Sequence, residues 1–155
     1  MLALNERTSI LLIQLSLGGI WLQSAVKKLT SPEFAQNLDT TLTYFASKNP
    51  ILWYKTFLIQ TVIPNFSIFA QLTQWGELIA GVFLFISAVL LMRTSLKSLH
   101  SLALIGLGIG VFLNINFGLA SFWISPANES LNVLMILSEL VLIFFHLSHI
   151  LKRPA

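Results

Sequence analysis

Cysteine is absent from all 155 residues, which removes disulfides, thiol nucleophiles and Cys-ligated iron–sulfur or zinc sites together. Charge is nearly as scarce, at 10% of the chain, against about a quarter in an ordinary soluble domain. With 55% hydrophobic residues and a mean hydropathy of +0.81, the composition excludes a water-soluble globule and points to a membrane. The net charge of +3 does not indicate a nucleic-acid partner, because the Lys and Arg residues are scattered as single caps and pairs. No serine, histidine and acid set has the arrangement of a hydrolase.

What the chain has instead is long apolar runs. A membrane-spanning helix needs about 20 mostly apolar residues, and four such runs occur, at about 8–26, 66–92, 99–124 and 131–151. They predict an all-α fold, an integral membrane four-helix bundle forming one domain. Ser125-Pro126-Ala127-Asn128 reads as a turn between the last two. The stretch of about 31–63 is too polar to span and too apolar to be disordered. Ser31-Pro32 reads as a helix start and Asn49-Pro50 as a second. Tyr44, Phe45, Trp53, Tyr54 and Phe57 with Lys48 and Lys55 suit headgroup depth, so an interfacial helical hairpin between the first and second spans is expected.

Orientation rests on Lys and Arg. Arg7, Arg93, Lys97, Lys152 and Arg153 fall on one side, in tails and a tight loop, and Lys27, Lys28, Lys48 and Lys55 on the other. This places both termini in the cytoplasm of a bacterial cell membrane, or a thylakoid membrane, with Lys152–Ala155 as a short tail.

Ionisable groups within such spans are expensive and call for a reason. Counting about 1.5 Å per residue from the outer helix ends, Glu77 lies roughly 16 Å deep, Glu139 roughly 12 Å, and Asn114 and Asn116 roughly 12–15 Å. The four are expected to share one polar layer, either as glue between helices or as a ligand or proton site. Gly106, Gly110 and Asn114 share a face that should meet a close neighbour. Gly81, one turn from Glu77, leaves room for a helix or a ligand. On the first span, Arg7, Gln14, Gly18, Trp21, Ala25 and Lys28 form one stripe, from which Lys28 can reach toward the carboxylates or anchor at the headgroups. His100, His146 and His149 belong near the cytoplasmic edge, with no metal site expected. A proton path through Glu139, Leu142, His146 and His149 is conceivable. Any redox chemistry would use an organic cofactor, and a lipid-soluble quinone is the obvious one.

The run Asn49-Pro50-x-x-Trp53-Tyr54-x-x-Phe57-Leu58-x-x-x-Val62-x-Pro64-Asn65-x-x-x-Phe69-Ala70, then Gly76-Glu77 and Gly81, resembles the DoxX family of small membrane proteins. Leu113-Asn114-x-Asn116-Phe117-x-Leu119-Ala120 resembles it too, as do Gly18 and Lys28. The resemblance implies a four-helix membrane bundle. In one branch, DoxD-like, such a bundle is the small subunit of thiosulfate:quinone oxidoreductase. Family members often carry arginine four residues before the first-span glycine, where this chain has Gln14, so a basic partner for Glu77 is either missing or supplied by Lys28.

The reading that follows is a quinone-associated membrane subunit passing electrons from thiosulfate or a similar small reductant to quinone. Glu77 would hydrogen-bond or protonate the quinone as the catalytic residue, with Asn114 or Asn116 orienting it. Trp53, Tyr54 and Trp75 would guard the entrance, and Glu139 and Lys28 would complete the binding set. The alternative is a non-catalytic accessory or assembly subunit of a larger respiratory or photosynthetic complex. Either reading implies membrane lipid and other protein subunits as partners.

Overall fold

The computed structural model describes residues 5–151; Lys152 and Arg153, used above for orientation, lie outside the described residues. Within them the fold is all-helical, with no strand. Seven α-helices follow in order: α1 (Glu6–Thr30), α2 (Pro32–Gln36), α3 (Leu38–Lys48), α4 (Leu52–Phe57), α5 (Phe66–Leu91), α6 (Lys97–Ser121) and α7 (Pro126–Leu151). Four helical stretches are long and apolar enough to cross a membrane.

Local chemistry sets the ends. The Asn5 side chain accepts from the Thr8 backbone N–H at 2.7 Å and opens α1, a standard N-cap. Ser125 does the same for Asn128 at 3.2 Å, and Pro126 takes the first helical position, where its missing N–H costs nothing. The segment expected to be a turn is therefore the start of α7, which begins five residues before the apolar run suggests. Arg7 donates to the carbonyls of Leu91, at 2.7 Å, and Thr94. It thereby caps the end of α5 and fixes the start of α1 beside the α5–α6 turn.

The second arm of the expected hairpin does not end before the second span. α4 runs on through one wide π turn (Leu58–Val62) and a 3₁₀ turn (Ile63–Asn65) straight into α5. Pro64 would break a regular helix by clashing one turn back and removing a donor. The wide turn and the tight one re-space the backbone around it.

Packing joins α1 to α5, α5 to α6 and α6 to α7, while α1 and α7 touch only sparsely. Close approach of α1 to α5 depends on glycine. A Cβ added at Gly81 would sit 2.8 Å from the Leu22 backbone nitrogen, and one at Gly18 would sit 2.9 Å from that of Phe85. Leu17, Trp21, Leu84, Leu107 and Leu142 form the central core. At the far end from Arg7, α3, α4 and the π turn pack as a cap around Leu42, Tyr54, Leu58 and Val62 against Ala120 of α6.

The polarity of the molecule is inverted relative to a soluble bundle. Gln14, Glu77, Glu139 and His146 are 0% exposed, while Ile13, Leu134 and Phe144 are 53%, 63% and 72% exposed. Soluble monomers rarely show continuous apolar surface of this kind, and polar groups inside are what hold helices together where the surroundings are as apolar as leucine.

Candidate functional site

Beneath the cap, α1, α2, α3, α5, α6 and α7 line a half-open cavity of about 430 Å³, within the size range of small-molecule sites. Its wall is mostly apolar, with Phe34, Phe45, Phe69 and Phe117 toward the cap and Trp21 and Met135 below. Polar side chains interrupt it. Lys28 and Glu77 line it together with Asn114 and Asn116, and Ser24, Thr41, Thr73, Ser121, Asn128 and Asn132 also border it.

Lys28 and Glu77 form an ion pair, Nζ to Oε1 2.5 Å, with the carboxylate side chain 1% exposed. This is the basic partner that Gln14 leaves open. The ammonium also donates to Ser24 Oγ at 2.7 Å and lies 5.4 Å from the Phe34 ring and 5.8 Å from the Phe117 ring, where ring faces favour a cation. Helical spacing explains the gathering, since Trp21, Ser24 and Lys28 recur three and four residues apart on one face of α1. The Lys28 carbonyl accepts from Gln74 Nε2 at 2.8 Å, tying α1 to α5 beside the pair. The second carboxylate oxygen, Glu77 Oε2, is buried and has no hydrogen-bond partner among the described residues. Leaving such an acceptor unsatisfied costs about 1–3 kcal/mol, more for a charged group.

A second carboxylate stands behind the wall. Glu139 Oε1 accepts from Trp21 Nε1 at 3.1 Å and Oε2 from Asn114 Nδ2 at 3.0 Å. Both donors line the cavity; Glu139 itself does not. It sits against Gly110, where a Cβ would collide with its carboxylate, so the expected Gly106–Gly110–Asn114 face has two close neighbours: α7 with its buried acid at Gly110 and Asn114, and Ala80, Phe83 and Leu84 of α5 at Gly106.

The single polar layer anticipated for Glu77, Glu139, Asn114 and Asn116 is thus divided in two. Glu77 pairs with Lys28, whereas Glu139 pairs with Asn114 and Trp21. Asn116 lines the cavity but donates its amide back to Phe112 O at 2.8 Å. The three aromatics expected at the entrance line no part of the cavity. Trp75 is two residues from Glu77 and so about 200° around the helix, and it is 53% exposed. Trp53 is 64% exposed. Tyr54 turns inward, where its hydroxyl donates to Asn116 O at 3.0 Å within the cap core. The aromatic lining comes instead from Trp21, Phe34, Phe45, Phe69 and Phe117.

At the opposite end lies another buried polar chain. Gln14 Nε2 donates to Ser87 Oγ at 2.8 Å and Leu84 O at 3.0 Å, and its Oε1 lies 2.8 Å from His146 Nε2. His146 Nδ1 meets His100 Nδ1 at 2.8 Å, and the His100 ring stacks on His149 at 4.8 Å. With the Gln14 oxygen accepting, His146 carries its proton on Nε2 and His100 donates on Nδ1. His100 lies in the first turn of α6 and His146 and His149 in the last two turns of α7, near the helix ends as expected, with His100 and His146 turned inward and buried. Leu17, Leu84, Leu107 and Leu142 pack in the core between this chain and Glu139, and among the described residues no hydrogen bond between side chains joins the two. No group of three metal-binding side chains occurs among the described residues.

Compared with family models, curated proteins and solved structures, the chain matches none.

Proposed function

We propose that this chain is an integral membrane four-helix bundle, with both termini cytoplasmic and the cap at the outer headgroup level. Its cap-end cavity binds the head of a lipid-soluble quinone. The observation that carries the reading is a half-satisfied buried carboxylate, Glu77, held by Lys28 in the wall of a cavity whose surface is mostly apolar. Inverted polarity supports the membrane placement, and the resemblance of Gly76-Glu77 and Asn114 to the DoxX pattern agrees with the ligand class.

The residues fit such a head. Lys28 donates to a carbonyl oxygen and keeps positive charge beside it, which favours electron-rich forms of a bound ring. Glu77 takes or gives a proton at Oε2, the atom that lacks a partner. Trp21 and Asn114, fixed from behind by Glu139, bound the ring from below, and Phe34 and Phe117 exclude water from above. Quinone, when bound, supplies two-electron redox chemistry coupled to two protons. Electrons from thiosulfate or another small reductant would be delivered by a partner subunit, since the chain has no cysteine.

That same need for a partner favours a second reading, a non-catalytic accessory subunit of a larger complex in which the cavity holds a lipid structurally. Extraction of the purified protein followed by mass spectrometry tests the first reading. Quinone is expected at close to one per wild-type chain and strongly depleted in Glu77→Leu. Phospholipid alone in a folded wild-type preparation would favour the accessory role.

A further inference from the structure

A second, smaller space adjoins the cavity. Along the seam where α1 and α7 touch only sparsely, a groove of about 150 Å³ runs between Ile13, Ser16 and Ile20 on one side and Leu131, Leu134 and Ser138 on the other. Ile20, Leu131 and Met135 border both spaces, so the two adjoin across these side chains. From Ile20 to Ile13, and from Leu131 to Ser138, the antiparallel helices both run away from the cap, over about 10 Å.

The chemistry changes along this path. The cavity end carries Lys28 and the unpartnered Glu77 Oε2. In the groove the only side-chain polar atoms are two hydroxyls, and each is satisfied within its own helix: Ser16 Oγ donates to Leu12 O at 3.0 Å and Ser138 Oγ to Leu134 O at 2.8 Å. These serines face one seam without joining across it. They therefore act as small residues that keep the slot open and leave no polar demand in it.

Resting on the quinone reading above, we propose that the α1–α7 groove is the seat of the ligand's isoprenoid or alkyl tail, and that the seam between these helices is its route from the bilayer. A head near the cap with a tail running toward the middle of the bundle has the polarity of a lipid in the outer leaflet. The occupant enters sideways without reversing its orientation. Tail contacts then supply the part of the affinity that a polar head alone does not, because apolar burial is gained along the groove and no polar group is desolvated there.

The test uses the full chain in nanodiscs and two probes, 2,3-dimethoxy-5-methyl-1,4-benzoquinone and the same ring carrying a decyl chain, followed by quenching of tryptophan emission. Wild type is compared with Leu134→Phe, at an exposed rim position, and Ser138→Phe, which fills the slot; neither adds a tryptophan. Circular dichroism and thermal midpoints confirm that both variants fold. Partition of each probe into lipid is common to all three proteins, so the variant-to-wild-type ratio is the quantity read. Decyl-probe affinity is expected to fall at least tenfold in each variant, with the tail-less ring changing less than twofold. An undiminished decyl affinity in both folded variants overturns the proposal, as does a wild type that gains nothing from the tail. Displacement of the decyl probe by phosphatidylglycerol, with the tail-less ring left in place, would also overturn it by giving the groove to an acyl lipid. If neither ring binds wild type, the quinone reading itself fails, and that result is distinguishable because the tail-less probe does not depend on the groove.

Discussion

Lys28 and Glu77, 49 positions apart in the chain, meet at 2.5 Å at the only point where α1 presents a cation to a buried acid of α5 among the described residues. Removing one partner leaves the other uncompensated, with Glu77 buried and Lys28 partly so. Lys28→Met or Glu77→Leu should each lower stability by roughly 2–3 kcal/mol. The double variant should lose clearly less than the sum, as interacting neighbours do. Thermal and denaturant unfolding in one detergent completes this cycle.

Glu139 works through the residues it holds. Glu139→Leu strips the acceptors from Trp21 Nε1 and Asn114 Nδ2, so both side chains lose their fixed orientation at the cavity floor. Glu139→Gln keeps an acceptor for one of them. With Trp53, Trp75 and Trp123 replaced by Phe, Trp21 emission should shift and become more quenchable in Glu139→Leu, and change little in Glu139→Gln. Steady-state fluorescence with an aqueous quencher reads the difference.

Gln14 is a structural junction. Its amide bonds α1 to α5 through Ser87 and Leu84 O, and to α7 through His146. Gln14→Leu leaves the buried His146 N–H unpaired, at a cost of about 1–3 kcal/mol. Because a leucine level separates it from the cavity, ligand affinity should stay within about twofold. A thermal melt and a binding titration on the same sample check both halves.

Gly81 sets the distance between α1 and α5. Gly81→Leu must displace the Leu22 backbone, 2.8 Å from the new Cβ, and overpacking of this kind costs about 1–3 kcal/mol or more. Gly108, where a Cβ meets nothing within 4 Å, should accept alanine with unchanged or higher stability. Unfolding midpoints of the two variants separate the cases.

The four long apolar helices, the polar stripe of α1 and the small-residue contacts at Gly81 and Gly110 were legible because each depends on the pattern along one helix. Partners across helices were not. Trp21 and Glu139 lie 118 positions apart, and Gln14 and His146 lie 132 apart. Their meeting depends on which helices become neighbours, and periodicity is silent on that. Depth counting put Glu77 and Glu139 at similar levels but carried no rotation angle, so it could not see that the two acids face different partners. Aromatic belts are likewise a matter of depth, which is why Trp53 and Trp75 were grouped with a cavity that they face away from. The π turn and 3₁₀ turn around Pro64 left no mark beyond the proline itself.

The central claim is that the Lys28–Glu77 end of the cavity binds a quinone head. Its most direct test is a titration of the decyl benzoquinone into wild type, Lys28→Met and Glu77→Gln, each shown to be folded. Saturable binding near one per chain, weakened at least tenfold in both variants, is the predicted result. Equal affinity in all three proteins, or no saturable binding to wild type, would contradict it.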